Sequence, residues 1–187
     1  MIRTRSLIPL LALTLTLSGC GYNQIQTLDE QVNKAQGQIA AQLQRRADLI
    51  PNLVETVKGF AKQEDTIFIS VANARAKLAG SIQSGNVDSM AAANQALNAP
   101  LGRLLAISEN YPELKSDANF RALQDELTGT ENRIATSRQD YNEAVNQFNG
   151  YIRRFPYNLT AKVIGHSTPR PYFQAQEGSQ EAPKVKF

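Results

Sequence analysis

From Leu28 onward, apolar residues fall at Leu28, Val32, Ala35, Ile39, Leu43, Ala47, Ile50, Val54, Val57 and Ala61, always three or four positions apart. Only an α-helix turns that spacing into one continuous stripe. The mean step is about 3.67 residues, nearer an eleven-residue than a seven-residue repeat. A second row of Leu49, Leu53 and Phe60 widens the apolar face towards the far end, which we expect to be buried on two sides. A helix this long with one apolar face must be covered by other helices, and that confines the chain to helix-on-helix packing. Pro51 interrupts the stripe: it has no N–H for the carbonyl of Ala47, and its ring crowds that turn at a cost of about 3 kcal/mol if nothing compensates. The stripe keeps its phase through Pro51 and no Gly or Asn cluster marks a loop. We therefore expect one kinked helix, with the freed carbonyl satisfied by water or by a polar partner on the last long helix.

Further along, Gln63-Glu64-Asp65 reads as a turn into a second helix carrying Ile67, Val71, Ala74 and Leu78, closed by Gly80. Ser84-Gly85-Asn86 is a loop by composition. A third helix from about Val87 to Ser108 contains Met90, Leu97, Leu101 and Leu104, and Pro100 should bend it. After Asn110-Tyr111-Pro112, Ser116 or Asp117 can cap a fourth helix with Phe120, Leu123, Leu127, Ile134, Tyr141, Val145, Phe148 and Ile152 on one face. Thr130 and Ser137 fill the gaps in that row, and Phe155-Pro156 ends it. No segment alternates with the period of a strand. The expected fold is all-α: an antiparallel helical bundle of two long and two shorter helices, with an N-terminal signal segment and an extended C-terminal tail.

The first twenty residues follow a different grammar. Arg3 and Arg5 precede an apolar run from Leu7 to Leu17, and Leu17-Ser18-Gly19-Cys20 follows. Charged, apolar and small residues in that order define an export signal. The run is about half of the roughly 20 residues that a spanning helix needs. The tetrad resembles the bacterial lipobox, in which the cysteine thiol receives a diacylglycerol and becomes the first residue after cleavage. Cys20 is the only cysteine, so an intramolecular disulfide is excluded. We expect residues 1–19 to be a lipoprotein signal peptide, 20–173 a helical bundle with an extended end, and 174–187 a disordered tail. The partner implied is a membrane, reached through palmitate-type lipid on Cys20. By analogy with lipoprotein sorting in enteric bacteria, Gly21 after the cysteine favours the periplasmic face of the outer membrane over the inner membrane in a Gram-negative cell.

Loss of residues 1–19 removes Arg3 and Arg5, taking the formal charge from +3 to +1. A balance this even lacks the dense basic face that nucleic acid requires. His166, the sole histidine, is expected outside the bundle near Gly165 with no cysteine partner once Cys20 is acylated, and no three or four ligands recur at metal-site spacing, so neither a zinc-type site nor a histidine-dependent hydrolase is expected. Glu64-Asp65 and Asp125-Glu126 are adjacent pairs whose side chains diverge on a helix. No glycine-rich phosphate loop is present, and no cofactor is implied.

The stretch from Gln44-Arg45-Arg46-Ala47-Asp48-Leu49-Ile50-Pro51-Asn52-Leu53 through Gly59-Phe60-Ala61 resembles the signature of the LemA family. So do Asn73-Ala74-Arg75, Leu101-Gly102-Arg103-Leu104-Leu105, Leu123-Gln124-Asp125-Glu126-Leu127, Thr130-Glu131-Asn132-Arg133-Ile134 and Pro171-Tyr172-Phe173. The resemblance runs from about Tyr22 to Phe173 and implies a membrane-attached helical bundle with no defined reaction. Two departures stand out. Many members carry a longer, uncleaved N-terminal membrane helix where this chain has a lipobox, and Pro100 occupies a position where a helix former is expected.

One polar constellation remains for chemistry. Arg45, Arg46, Asp48, Asn52 and Glu55 lie within a few turns on the first helix, and Glu131, Arg133 and Arg138 on the fourth can face them. Such a cluster either fixes the register of packed helices or lines a pocket for a ligand. We expect the first, and with it a non-enzymatic scaffold or interaction module of the cell envelope that engages a protein partner or a second copy of itself. The rival is a small-ligand binder or enzyme using the same cluster. The aromatic segment with Phe155, Tyr157, Tyr172 and Phe173 reads as irregular chain that either covers an end of the bundle or presents rings to a partner or to lipid headgroups.

Overall fold

The computed structural model describes residues 7–173, with side chains from Gly21 onward. The start of the signal segment, the side chain of Cys20 and the expected disordered tail over 174–187 lie outside the described residues. Helix α1 spans Leu7–Phe60, α2 Asp65–Ser84, α3 Val87–Ala106, α4 Pro112–Ser116, α5 Ala118–Ile152 and α6 Tyr157–Val163, with a single 3-10 turn at Ile107–Glu109. No strand occurs among the described residues. The fold is the all-α bundle expected, but two short helices, α4 and α6, join the four. Tyr157 thus opens a helix, and its placement on irregular chain is corrected. Seven residues are too few to show a 3.6-residue period, which is why α6 was invisible in the sequence.

Local chemistry sets the boundaries. Gly80 does not close α2; the helix runs through it to Gly85, whose φ of 65° is the left-handed conformation that a glycine adopts without strain. The Asn86 side chain then caps α3 by accepting from the Ser89 N–H at 2.8 Å. Asp117 caps α5 through the Phe120 N–H at 2.8 Å, whereas the Ser116 hydroxyl turns back to the carbonyls of Pro112 and Glu113. Pro112 begins α4 at the first-turn position where its missing N–H costs nothing.

The chain divides into two compact units. The first comprises α1 up to Gln36 together with Asp140–Tyr172. Its core is made by Ile25, Leu28, Val32, Tyr141, Val145 and Phe148. The second comprises Gly37–Gln139 with Phe173, and here Ile39, Leu43, Ile50, Leu53 and Val57 of α1 are buried with Val71 and Leu78 of α2, Leu97 and Leu104 of α3, and Ile134 of α5. Within it, Gln42 meets Arg133 and Arg45 meets Glu126, so α1 and α5 run antiparallel. The stripe read from the sequence is buried with one exchange, Leu53 taking the place of Val54. The second row is buried only in part, since Leu49 is half-buried and Phe60 is exposed.

Helix α1 passes through Pro51 without interruption. The carbonyl of Ala47 that Pro51 leaves without its amide accepts a hydrogen bond from Arg75 Nε at 2.8 Å. The partner therefore comes from α2 rather than from the last long helix, and a guanidinium N–H replaces the missing backbone donor.

Candidate functional site

Arg46 sits at the centre of the second unit, with only 5% of its surface exposed. It belongs to the helical phase of Ile50, Leu53 and Val57, so the fold of α1 carries it into the core. Its Nη1 donates to Asn94 Oδ1 at 2.6 Å and its Nη2 to Asn98 Oδ1 at 2.9 Å. The two asparagines stand one turn apart on α3 and present their amides as a pair. Glu131 Oε2 of α5 lies 2.6 Å from the same Nη1 and supplies the countercharge. Burial lowers the pKa of Arg46 from the ordinary arginine value, and the charge of Glu131 opposes that shift. The Nε has no acceptor and is buried, so the cluster carries an unsatisfied donor that tighter packing must offset.

Outside this centre lies an exposed ring. Arg45 donates from Nε at 2.9 Å and approaches with Nη2 at 2.8 Å, both to Glu126 Oε1. Arg133 reaches the same oxygen at 2.9 Å and Gln42 at 3.3 Å. Pairs this exposed contribute at most about 1 kcal/mol each and chiefly bias register.

The structure thus brings together Arg45, Arg46, Glu131 and Arg133 from the expected network. It leaves the others apart: Asp48 accepts from Gln44 on its own helix at 2.7 Å, Glu55 pairs locally with Lys58 at 3.3 Å, and Asn52 is exposed, its carbonyl taking the Thr56 hydroxyl. Arg138 lies 5.0 Å above the ring of the buried Phe173. Asn94, Asn98, Glu126 and Gln42 are partners that the sequence reading missed. A signal for Asn94 existed, because it falls in phase with Met90, Leu97 and Leu101, where a polar residue implies a buried partner.

The first unit holds a second cluster that was not anticipated. Asn149, 3% exposed, accepts from the Arg170 N–H at 2.8 Å and donates to the Arg170 carbonyl at 2.9 Å. The Tyr141 hydroxyl donates to the carbonyl of Pro171 at 3.0 Å. The Arg170 guanidinium in turn donates twice to Asp29 Oδ1, at 2.7 and 3.2 Å, and His166 Nδ1 stands 3.8 Å from that oxygen. The extended segment is thereby strapped onto α5 and tied to α1. Asn149→Ala removes both bonds to Arg170 and should speed hydrogen exchange over residues 165–173 while the amides of α5 keep their protection. Unchanged exchange there would mean that the strap is held elsewhere.

Among the described residues, no group of three or more His, Cys, Asp or Glu side chains could hold a metal ion, and no helix is long and apolar enough to cross a membrane. What fold and clusters define is a protein of long antiparallel helices cross-linked by buried side-chain amides and guanidiniums. The LemA family profile matches residues 35–187, and the chain belongs to the LemA family. It is similar to the magnetosome proteins MamQ 1 and MamQ 2 of Paramagnetospirillum magneticum, each 29% identical over 82% of this chain and 64% of the relative. Magnetosome protein MamQ of Magnetospirillum gryphiswaldense is 25% identical over 77% of this chain and 61% of the relative. The chain therefore spans somewhat under two thirds of the length of these relatives.

Proposed function

We propose that this chain is a non-catalytic helical scaffold or interaction module of a bacterial envelope membrane, anchored through lipid on Cys20 and engaging a protein partner or a second copy of itself. The observation that carries the scaffold reading is the state of Arg46: both of its amino groups are engaged by acceptors of its own chain on two further helices. A ligand pocket would need those donors turned towards a cavity. The relatives, by name components of the magnetosome, favour a part in an assembly over metabolic chemistry.

Anchoring rests on Leu17-Ser18-Gly19-Cys20. Cys20→Ser should abolish incorporation of labelled palmitate and leave an uncleaved, larger protein. A variant that still takes up the label and matures to the usual size would remove the lipoprotein reading. The periplasmic face of the outer membrane remains the favoured address in a Gram-negative cell, with a qualification from packing: a Cβ on Gly21 would come within 2.8 Å of Tyr157 Cδ1. Glycine there has a steric reason independent of sorting.

A further inference from the structure

Helix α6 has two unlike sides. Ala161 is fully buried, and Tyr157 stacks on Tyr151 of α5 with centroids 4.3 Å apart. On the opposite side Leu159 and Val163, one turn apart, are 57% and 86% exposed, and Phe155, in the turn just before the helix, is 79% exposed. Three large apolar side chains at this exposure within nine residues form a patch that water alone does not explain. Exposed Arg153, Arg154 and Lys162 lie among them. No acidic residue occurs between Glu143 and Glu177, nor anywhere before Asp29.

The position of this patch is fixed by Gly21, which packs against Tyr157 and Thr160. Gly21 directly follows Cys20, so α6 lies beside the residue through which the chain is proposed to be tethered. We propose that the outer side of α6 and the turn before it form a docking surface for an anionic lipid bilayer: Phe155, Leu159 and Val163 enter the headgroup boundary while Arg153, Arg154 and Lys162 meet the phosphates. Apolar side chains rimmed by basic ones are what an interfacial helix presents. The surface rests on the anchored reading for its orientation. It adds a second attachment, which holds the base of the bundle flat against the membrane in place of a swivelling tether.

The full chain carrying Val163→Cys, labelled on that thiol with an environment-sensitive fluorophore, is inserted in phosphatidylglycerol-containing vesicles beside the parent labelled the same way, whose only thiol is Cys20 and whose signal is subtracted, and palmitate on Cys20 is assayed in the same sample. The probe should shift to the blue and be quenched several-fold more by nitroxide lipids than one at Lys34→Cys, an exposed site about 21 Å further along α1. Leu159→Cys gives a second reporter position. Serine at Arg153, Arg154 and Lys162 should weaken the response in anionic vesicles and leave it unchanged in phosphatidylcholine. Quenching without palmitate would sink the anchor and keep the surface. A palmitoylated chain with the probe at residue 163 no more quenched than at residue 34 would overturn the surface and keep the anchor. A blue shift in native membranes but not in lipid vesicles would assign the patch to a protein partner and overturn it as well.

Discussion

Arg46→Ala lowers the stability of the bundle by about 3 kcal/mol, seen as a fall in melting temperature of roughly 6–12 °C. The loss has three sources: a charged donor to two asparagines, the packing of its buried stem, and the stranding of Asn94, itself buried. Glu131 contributes less, because 45% of its side chain is exposed, although the Oε2 that faces Arg46 is buried. The variant pair that separates register from raw energy is Arg46→Met with Asn94→Leu. Removing charge and amide together leaves Asn98, exposed, as the only amide without its donor, and should recover most of the lost stability. Melts followed by circular dichroism, beside capture of partners from cross-linked native membranes, decide the matter. An Arg46→Lys protein that melts with the parent yet loses its partner would make the cluster a binding site, and the scaffold reading would fall.

Arg75→Met costs about 2 kcal/mol in the parent and less than about 1 kcal/mol once Pro51 is alanine. Methionine keeps the apolar stem and discards the donor, so the carbonyl of Ala47 loses the hydrogen bond that spans from α2. Pro51→Ala by itself raises stability by about 1–2 kcal/mol, because alanine restores the backbone N–H and removes the ring, while the carbonyl still has a second lone pair for Arg75. In that background the new amide supplies what Arg75 supplied before. Urea melts of the four proteins complete the cycle. Equal losses from Arg75→Met in both backgrounds would show that the bond at 2.8 Å does not stand in for the amide that Pro51 lacks.

How much of this was legible follows from the range over which each feature acts. The long helices are written in the periodicity of residues 28–61 and 120–152, and the structure follows it closely there, but α1 begins at Leu7, turns ahead of the stripe. The centre of the polar cluster was legible as Arg46 and Glu131, because a charge in phase with a core row is conspicuous. Its partners on α3 were not, because reading apolar rows passes over an asparagine that occupies a core position. The strap was hidden for a different reason: Asn149 and Arg170 meet across 21 positions of turn, short helix and extended chain. The role of Arg75 needed the docking of α2 beside Pro51, which no local pattern encodes.

The bond between Asp29 and Arg170 joins residues 141 positions apart, whereas α2 and α3 meet across a single tight turn at Gly85. Local hairpins close early, and distant pairs wait for the intervening chain. A ribosome releases Asp29 long before it has made Arg170, so a growing chain carries that carboxylate without its cation until 141 further residues have been added. The unit that begins beside Cys20 therefore closes after the α2–α3 hairpin, and any truncation ahead of Arg170 leaves that unit open while the hairpin is already whole.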